Sequence, residues 1–554
     1  MSRDANDAPR GLDLLDTPID DGITVIEASA GTGKTYCLTG LVLRLLLERR
    51  VEHVGQILVV TFTQAATEEL VGRIRAALRD VQAAFAGETP VVDPFVAGLV
   101  ARHGATGETG TDESADGERD GAEILRRALL DFDDLTISTL HGFCRRVLEE
   151  SAFESGLPFE SELVESDDVL LLDAGRDVWR RWVDNAGPVL AAVATARGWT
   201  PARFLVDYRA CQQHPSTRLL PETRGLDAAG GAVHEAAEAL RHAFDRSRLR
   251  LALQRLPWKG RRAVADRRQL KALLSTLDEA LKAASDEALA DHLWAFESLH
   301  PDALASALPT EHHAAVLAAP GIAEIGRFFD ALDGLEQAVR AHMIDAVGRR
   351  FAEIKSRGAT LAFDDLLHRL ADALDDPRHG RRLARGVRRR FRAALIDEFQ
   401  DTDLVQYGIF RRLFGAGPLL LVGDPKQAIY RFRGADIYAY LGAKREAQRI
   451  YGLERNWRTG APLLDAVHAV FDRASRPFVF ADVPFQPVEA ADRTADRTLD
   501  GDGGAPLEWR WITEPSQSRA TSRLHAATAA EIAEMLAAAE RPDSLRLAGD
   551  GGGR

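Results

Sequence analysis

The stretch ITVIEASAGTGKT, residues 23–35, decides the fold. Ile23, Val25 and Ile26 supply an apolar, partly β-branched strand. Ala28, Ser29, Ala30, Gly31, Thr32 and Gly33 form a loop of small residues, and Lys34 and Thr35 open a helix. Small side chains let backbone N–H groups approach a polyphosphate, and the helix N-terminus favours its charge. Lys34 reaches the terminal phosphates and the Thr35 hydroxyl suits magnesium. The usual pattern G-x-x-x-x-G-K-[ST] has glycine first, where this chain has Ala28, which still permits a tight turn. The competing reading, a chance turn of small residues before a helix, recedes if an acidic strand end follows downstream.

It follows at AALIDEFQD, residues 393–401. An apolar run into two acids describes a strand whose carboxyl end sits where open α/β sheets bind ligands. Asp397 is placed to hold magnesium through water, and Glu398 to orient and deprotonate an attacking water. Between the two motifs, residues 36–50 show leucines at helical spacing, VGQILVVT (54–61) reads as a buried strand, and ELVGRIRAAL (69–78) as a helix. Strand, loop and helix in alternation give a P-loop NTPase lobe of α/β class with a parallel, doubly wound sheet. Another strand, LLLVGDP (419–425), leads into KQAIYRFRGADIYAY, where Gln427, Tyr430, Phe432 and Arg433 cluster. One amide, two rings and a cation there can couple phosphate sensing to a stacked base. ERNWRTG (454–460) sets Arg458 just before a helix.

The rest of the chain supplies context. A length of 554 residues exceeds one core. The composition, 45% hydrophobic and 28% charged, is that of a globular protein. A net charge of −14 neither supports nor excludes nucleic acid, so any such partner must be met by local basic patches or loop backbone. Cys37, Cys144 and Cys211 lack metal or disulfide spacing and read as core thiols in a reducing compartment. The absence of a basic-apolar start or a long apolar run points to a cytoplasmic protein. Residues 104–121, acidic and rich in glycine, read as a surface insertion. Residues 153–358 are helical in texture, and their tryptophans are core anchors more often than stacking platforms. The basic run LPWKGRRAVADRRQLK (256–271) is a solvated face or a phosphate grip, and RRLARGVRRRFR (381–392) is a basic helix.

Seven blocks carry a resemblance: EASAGTGKT at Glu27, VVTFTQAATEELVGRIR at Val59, TISTLHGFC at Thr136, TLAFDDLL at Thr360, LIDEFQDTDLVQYGIF at Leu395, LVGDPKQAIYRFRGADIYAY at Leu421 and NWRT at Asn456. Together and in this order they resemble the UvrD-like superfamily 1 DNA helicases, and IDEFQDTD with GDPKQAIYRFRGADI favours the RecB (exodeoxyribonuclease V beta) branch. The resemblance implies two RecA-like lobes with ATP and Mg²⁺ between them and single-stranded DNA across their top, moved 3′ to 5′. Residues 1–152 and 359–448 would form the first lobe, 153–358 an inserted helical domain, and 449–554 the start of the second lobe.

Carried onto matching positions, Lys34 and Thr35 hold phosphates and magnesium, Asp397 and Glu398 serve metal and water, and Gln427 senses the γ-phosphate. Arg458 reaches that phosphate from the second lobe. Thr61, Phe62, Thr63, Thr139, His141, Tyr430, Phe432 and Arg433 look like the DNA-facing surface, the lesser reading for Phe62 and Tyr430 being that they pack between lobes. The branch implies RecC-like and RecD-like partners in DNA repair. The family's glutamine before the phosphate loop is missing from GLDLLDTPIDDG (11–22), which leaves base preference open. Its later motifs, including a second catalytic arginine, and the branch's nuclease domain do not appear before Arg554. From this the expectation is a truncated chain that binds ATP, hydrolyses it poorly and unwinds nothing alone. The alternative is a nucleotide-responsive binding module without productive hydrolysis.

Overall fold

The six residues of β2 (Gly22–Glu27) are all buried, because they lie at the middle of a sheet covered on both faces. The computed structural model describes residues 9–104, 121–151, 162–164, 166–185, 187–212, 225–258, 266–283, 286–358, 360–429, 436–491, 499–500, 507, 509, 511–539 and 546–547. The other strands are β1 (Arg10–Gly11), β3 (Ile57–Thr61), β4 (Thr136–Thr139), β5 (Glu162–Val164), β6 (Thr360–Ala362), β7 (Ala393–Ile396), β8 (Pro418–Gly423), β9 (Arg449–Gly452), β10 (Arg455–Asn456), β11 (Glu489–Ala490), β12 (Leu499–Asp500) and β13 (Arg546–Leu547). Seven of them join in the order β1-β9-β2-β8-β7-β3-β4. All the pairings in this sheet are parallel, with Ile23 opposite Leu419 and Leu58 opposite Ala394. The central runs ILVVT, AALI and PLLLVG are uninterrupted by exposed positions, as a doubly covered sheet requires.

Helix α1 (Lys34–Leu47) packs its leucines on this sheet, with Leu38 and Leu45 fully buried. Removing either side chain would open a cavity costing roughly 2–5 kcal/mol. The Cys37 and Cys144 thiols lie in the core, and burial pushes the Cys37 thiol up to about 12. Thr61 ends β3, and α2 (Gln64–Phe85) follows at once, capped by Thr63, whose hydroxyl accepts from the Ala66 N–H at 3.1 Å.

In sequence TISTLHGFC (136–144) reads as a strand end and a loop leading into a helix, but no loop separates the two in the structure. Thr139 ends β4 and itself caps the next helix (Leu140–Glu150), its hydroxyl accepting from the Gly142 N–H at 3.3 Å. A second difference concerns residue 449 onward, which the sequence reading gives to another lobe: β9 runs parallel to β2 and belongs to the first sheet. Its strand is only four residues long, RIYG, and although Ile450 and Tyr451 favour strands, which sheet it joins is set by its pairing with β2 and β1.

By compactness the chain divides into a unit of residues 1–159 with 364–554 and a unit of residues 160–363. The second unit is helical around the 37-residue helix Ile322–Gly358, roughly 55 Å long, with a two-stranded parallel pair β5–β6. Trp182 and Trp199 are buried in its core and Trp179 packs on Trp182 at 5.2 Å, whereas Trp294 is exposed. Residues 105–120 of the insertion expected at 104–121, and residues 259–265 of the basic run 256–271, lie outside the described residues. Among the described residues no helix is long and apolar enough to cross a membrane.

Candidate nucleotide-binding site

The carboxyl ends of β2, β3, β4, β7 and β8 line one edge of the sheet, and the site is built there. After β2 the chain turns tightly: the Thr32 N–H and hydroxyl both donate to the Ser29 carbonyl, at 3.1 and 2.7 Å. Ala28 is fully buried and its φ is negative, so a methyl group is tolerated where the usual pattern has glycine. Gly31 and Gly33 do require glycine, with φ of 82° and 89°. Gly33 caps α1 without any side-chain hydrogen bond, so the first N–H donors of the helix remain for a ligand.

Lys34, on the first turn of α1, reaches across to the end of β7 and pairs with Glu398 at 2.5 Å. Glu398 has φ 50°, a strained conformation for a residue with a side chain, and its N–H donates to Asp397 Oδ1 at 2.9 Å. The half-buried Asp397 carboxyl is raised to about 6, first by its burial and next by the Glu398 charge, with Lys34 pulling the other way. Buried Gln400 donates to Glu398 at 2.7 Å and accepts from the Asp424 N–H at 2.9 Å, which ties the end of β7 to the end of β8. Asp424 in turn accepts from Gln427 Nε2 at 2.7 Å and pairs with Lys426 at 2.8 Å.

The segment 455–459 leans on the phosphate loop. Buried Asn456 donates its amide to the Ala30 carbonyl at 2.9 Å, and its Oδ1 accepts from the N–H groups of Arg458 and Thr459, at 2.9 and 2.8 Å. The Trp457 N–H donates to the Gly31 carbonyl at 2.8 Å. A Cβ on Gly31 would sit 2.9 Å from that of Arg458, so the arginine starts directly beside the loop. The Trp457 ring, half exposed, lies over Gly33. Below the loop, buried Glu27 pairs with Lys444 at 2.7 Å and accepts from the Tyr440 hydroxyl at 3.3 Å, anchoring β2 to the helix Ile437–Glu446.

Ala28 to Thr35, Asp397, Glu398, Gln427 and Arg458 therefore gather at one edge. Of the expected DNA-facing residues, Thr61 is buried and bonded to Thr67 at 2.6 Å, Phe62 is half-buried, and Thr63 and Thr139 are helix caps. His141 lies 3.9 Å from Asp364. Tyr430, Phe432 and Arg433 lie outside the described residues. Sequence reasoning missed Asn456, Gln400 and Trp457. The amide types of the first two were the only signal, because their partners are distant in the chain or on backbone atoms.

No ligand is present, so fit rests on these groups. Among the described residues no cluster of three or more His, Cys, Asp or Glu could cage a metal. A loop with open N–H donors, one cation and a carboxylate pair suits a magnesium ion that takes its remaining ligands from phosphate and water.

The family description "UvrD/REP helicase N-terminal domain" matches residues 17–448. The chain is 34% identical to the RecBCD enzyme subunit RecB of Escherichia coli, over 98% of this chain and 46% of that protein. The corresponding subunit of Haemophilus influenzae is 30% identical over 85% of this chain and 41% of its own length. That of Mycobacterium tuberculosis is 29% identical over 83% and 30%. The chain thus spans less than half the length of these relatives.

Proposed function

We propose a function from one premise: the chain belongs to the UvrD/REP helicase family. It carries the ATP-hydrolysing part of a DNA helicase and translocase subunit of RecBCD type, moving 3′ to 5′ on single strands drawn from duplex ends in double-strand break repair. RecC-like and RecD-like subunits are its partners. Residues 1–152 and 359–448, extended to β9, are read as the first RecA-like lobe, 153–358 as its helical insertion, and the following residues as the start of a second lobe. The observation that carries the reading is the 2.5 Å pair between Lys34 and Glu398, which joins the phosphate loop to the acidic strand end.

Each residue has a part in the proposed reaction. When bound, Mg²⁺ neutralises charge on the phosphate oxygens, and Thr35 and Asp397 are the residues to hold it. Lys34 exchanges Glu398 for the terminal phosphates. Glu398, released, accepts a proton from the attacking water at a carboxylate oxygen while Gln400 keeps it oriented. Gln427 turns from Asp424 toward the γ-phosphate, and Arg458 offsets charge developing there. Trp457 offers a flat face to the base in place of the absent glutamine. Phe62, Thr63, Thr139, His141, Tyr430, Phe432 and Arg433 remain the proposed DNA surface, whereas Thr61, buried and bonded to Thr67, does not face it.

A Glu398→Gln variant tests the reading: nucleotide binding persists and hydrolysis is lost. If wild type and variant hydrolyse equally, the alternative of a nucleotide-responsive binding module stands instead.

A further inference from the structure

Lys34 and Gln400 donate to one and the same atom, Oε2 of Glu398, at 2.5 and 2.7 Å. Among the described residues nothing donates to the other carboxylate oxygen, Oε1. The two donors differ in what a ligand does to them. Lys34 stands on the first turn after the phosphate loop, and on the reading proposed above a triphosphate draws it away. Gln400 is 2% exposed and stays.

Its amide is held at both ends. The Asp424 N–H can only donate, so the Gln400 atom 2.9 Å from it is the carbonyl oxygen, and the NH₂ group is left facing Glu398. Gly423 makes room for this arrangement: a Cβ there would sit 2.5 Å from Gln400 Oε1 and 3.1 Å from the backbone nitrogens of Phe399 and Gln400. Gly423 is not among the glycines with positive φ, so it serves close approach and not a turn. Asp424, gripped through its N–H, is also the residue whose carboxylate holds Gln427 at 2.7 Å and Lys426 at 2.8 Å. A carboxylate without a fixed donor turns about its last torsion and offers either oxygen, because that torsion is broad and roughly two-fold. One retained donor on Oε2 removes this freedom.

We infer that Gln400 is a positioning residue: it keeps Oε2 of Glu398 engaged after Lys34 departs, which leaves Oε1 to take the proton, and it sets this base and the turn carrying Gln427 from a single amide. The inference deepens the hydrolysis reading and rests on it. In the step concerned, the water oxygen bonds to the γ-phosphorus as the bond from phosphorus to the bridging oxygen breaks. The electron pair of that bond leaves on ADP, and the water proton passes to Oε1. Gln400 touches none of the reacting atoms. When Gln427 turns from the Asp424 carboxylate, Asp424 itself stays in place, its N–H on Gln400 and its carboxylate on Lys426.

The test is hydrolysis of Mg–ATP by the full chain, for wild type, Gln400→Met, Gly423→Ala and Glu398→Gln, and for Gln400→Met combined with each of the other two. Gln400→Met should lower kcat about 10- to 100-fold and change KM less than about threefold, the split of a group that acts in the transition state. Beside Glu398→Gln it should change the residual rate less than about twofold, because no base is left to position. A mere staple between β7 and β8 would cost as much there as in the wild-type chain. Gly423→Ala should lower kcat by itself and add less than about twofold to Gln400→Met, because its methyl acts by displacing the Gln400 amide. On the unaltered chain, the Asp424 amide should remain protected from hydrogen exchange when a non-hydrolysable Mg–ATP analogue binds, a readout that needs neither variant nor turnover. Full kcat in Gln400→Met, an equal cost beside Glu398→Gln, or loss of protection at Asp424 on binding the analogue would each overturn the inference. If Glu398→Gln costs nothing, the hydrolysis reading itself fails; if Glu398→Gln is inactive and Gln400→Met is not impaired, that reading stands and this inference alone falls.

Discussion

At the carboxyl edge of the sheet Lys34, Lys426 and Lys444 each face a carboxylate, Glu398, Asp424 and Glu27, at 2.5, 2.8 and 2.7 Å. At the amino edge residues 380–392 hold seven arginines and no acid, and Arg390 reaches Glu150 on another helix. The contrast follows from solvent. Charges in the first region are largely withdrawn from water, where an unmatched one would cost several kcal/mol, so each is matched within the protein. Charges in the second lie mostly at the surface, where water screens them and an ion pair such as that of Arg390 with Glu150 contributes little. A matched site acts by exchanging partners when its ligand arrives, whereas charges at the surface are screened by salt.

The largest way to probe this contrast is Glu398→Gln, which should cut hydrolysis by about 10²–10⁴-fold in a phosphate-release assay. A comparable loss of nucleotide binding would mean that the pair is structural rather than exchangeable.

Asp397→Asn tests the cost of matching. The native carboxyl sits near 6 against an ordinary 3.8, so the folded state holds its proton more tightly than the unfolded chain does. The resulting destabilisation is fully present above pH 6 and vanishes below about 4. Without metal or nucleotide, the variant should therefore be more stable than wild type by about 2–3 kcal/mol at pH 8, and no more stable at pH 4. Denaturant titrations across pH would reveal it. Asn456→Ala should cost about 1–3 kcal/mol in thermal unfolding and weaken nucleotide binding, because it strands the Ala30 carbonyl and two N–H groups. The smallest expected effect is that of R385Q/R389Q on hydrolysis without DNA: a change below about twofold, given that Arg392, at the end of this segment, stands roughly 17 Å from Asp397 along β7, and given screening by salt.

How much was legible follows from how local each feature is. The phosphate loop, the β7 acids and the parallel sheet could be read because strand runs, small-residue loops and acidic strand ends are short patterns. Asn456 could not be assigned, because its carbonyl partner on Ala30 is 426 residues away and is a backbone atom that any residue supplies. Gln400 looked like one more polar residue after the acids, until its two bonds joined β7 to β8. That RIYG joins the first sheet is not legible locally, because a four-residue strand does not say which partner it pairs with, and here it lies between β1 and β2. The basic helix was evident as composition, but that its arginines converge on one groove needed the fold.

The most direct measurement is equilibrium binding of a fluorescent ATP analogue, with Mg²⁺, to wild type, Lys34→Ala and Glu398→Gln. If the 2.5 Å pair is an exchangeable gate on a nucleotide site, Lys34→Ala should lose at least tenfold in affinity, while Glu398→Gln, with its lysine released, binds as tightly as wild type or more tightly. Weaker binding by Glu398→Gln, or unchanged binding by Lys34→Ala, would contradict the account.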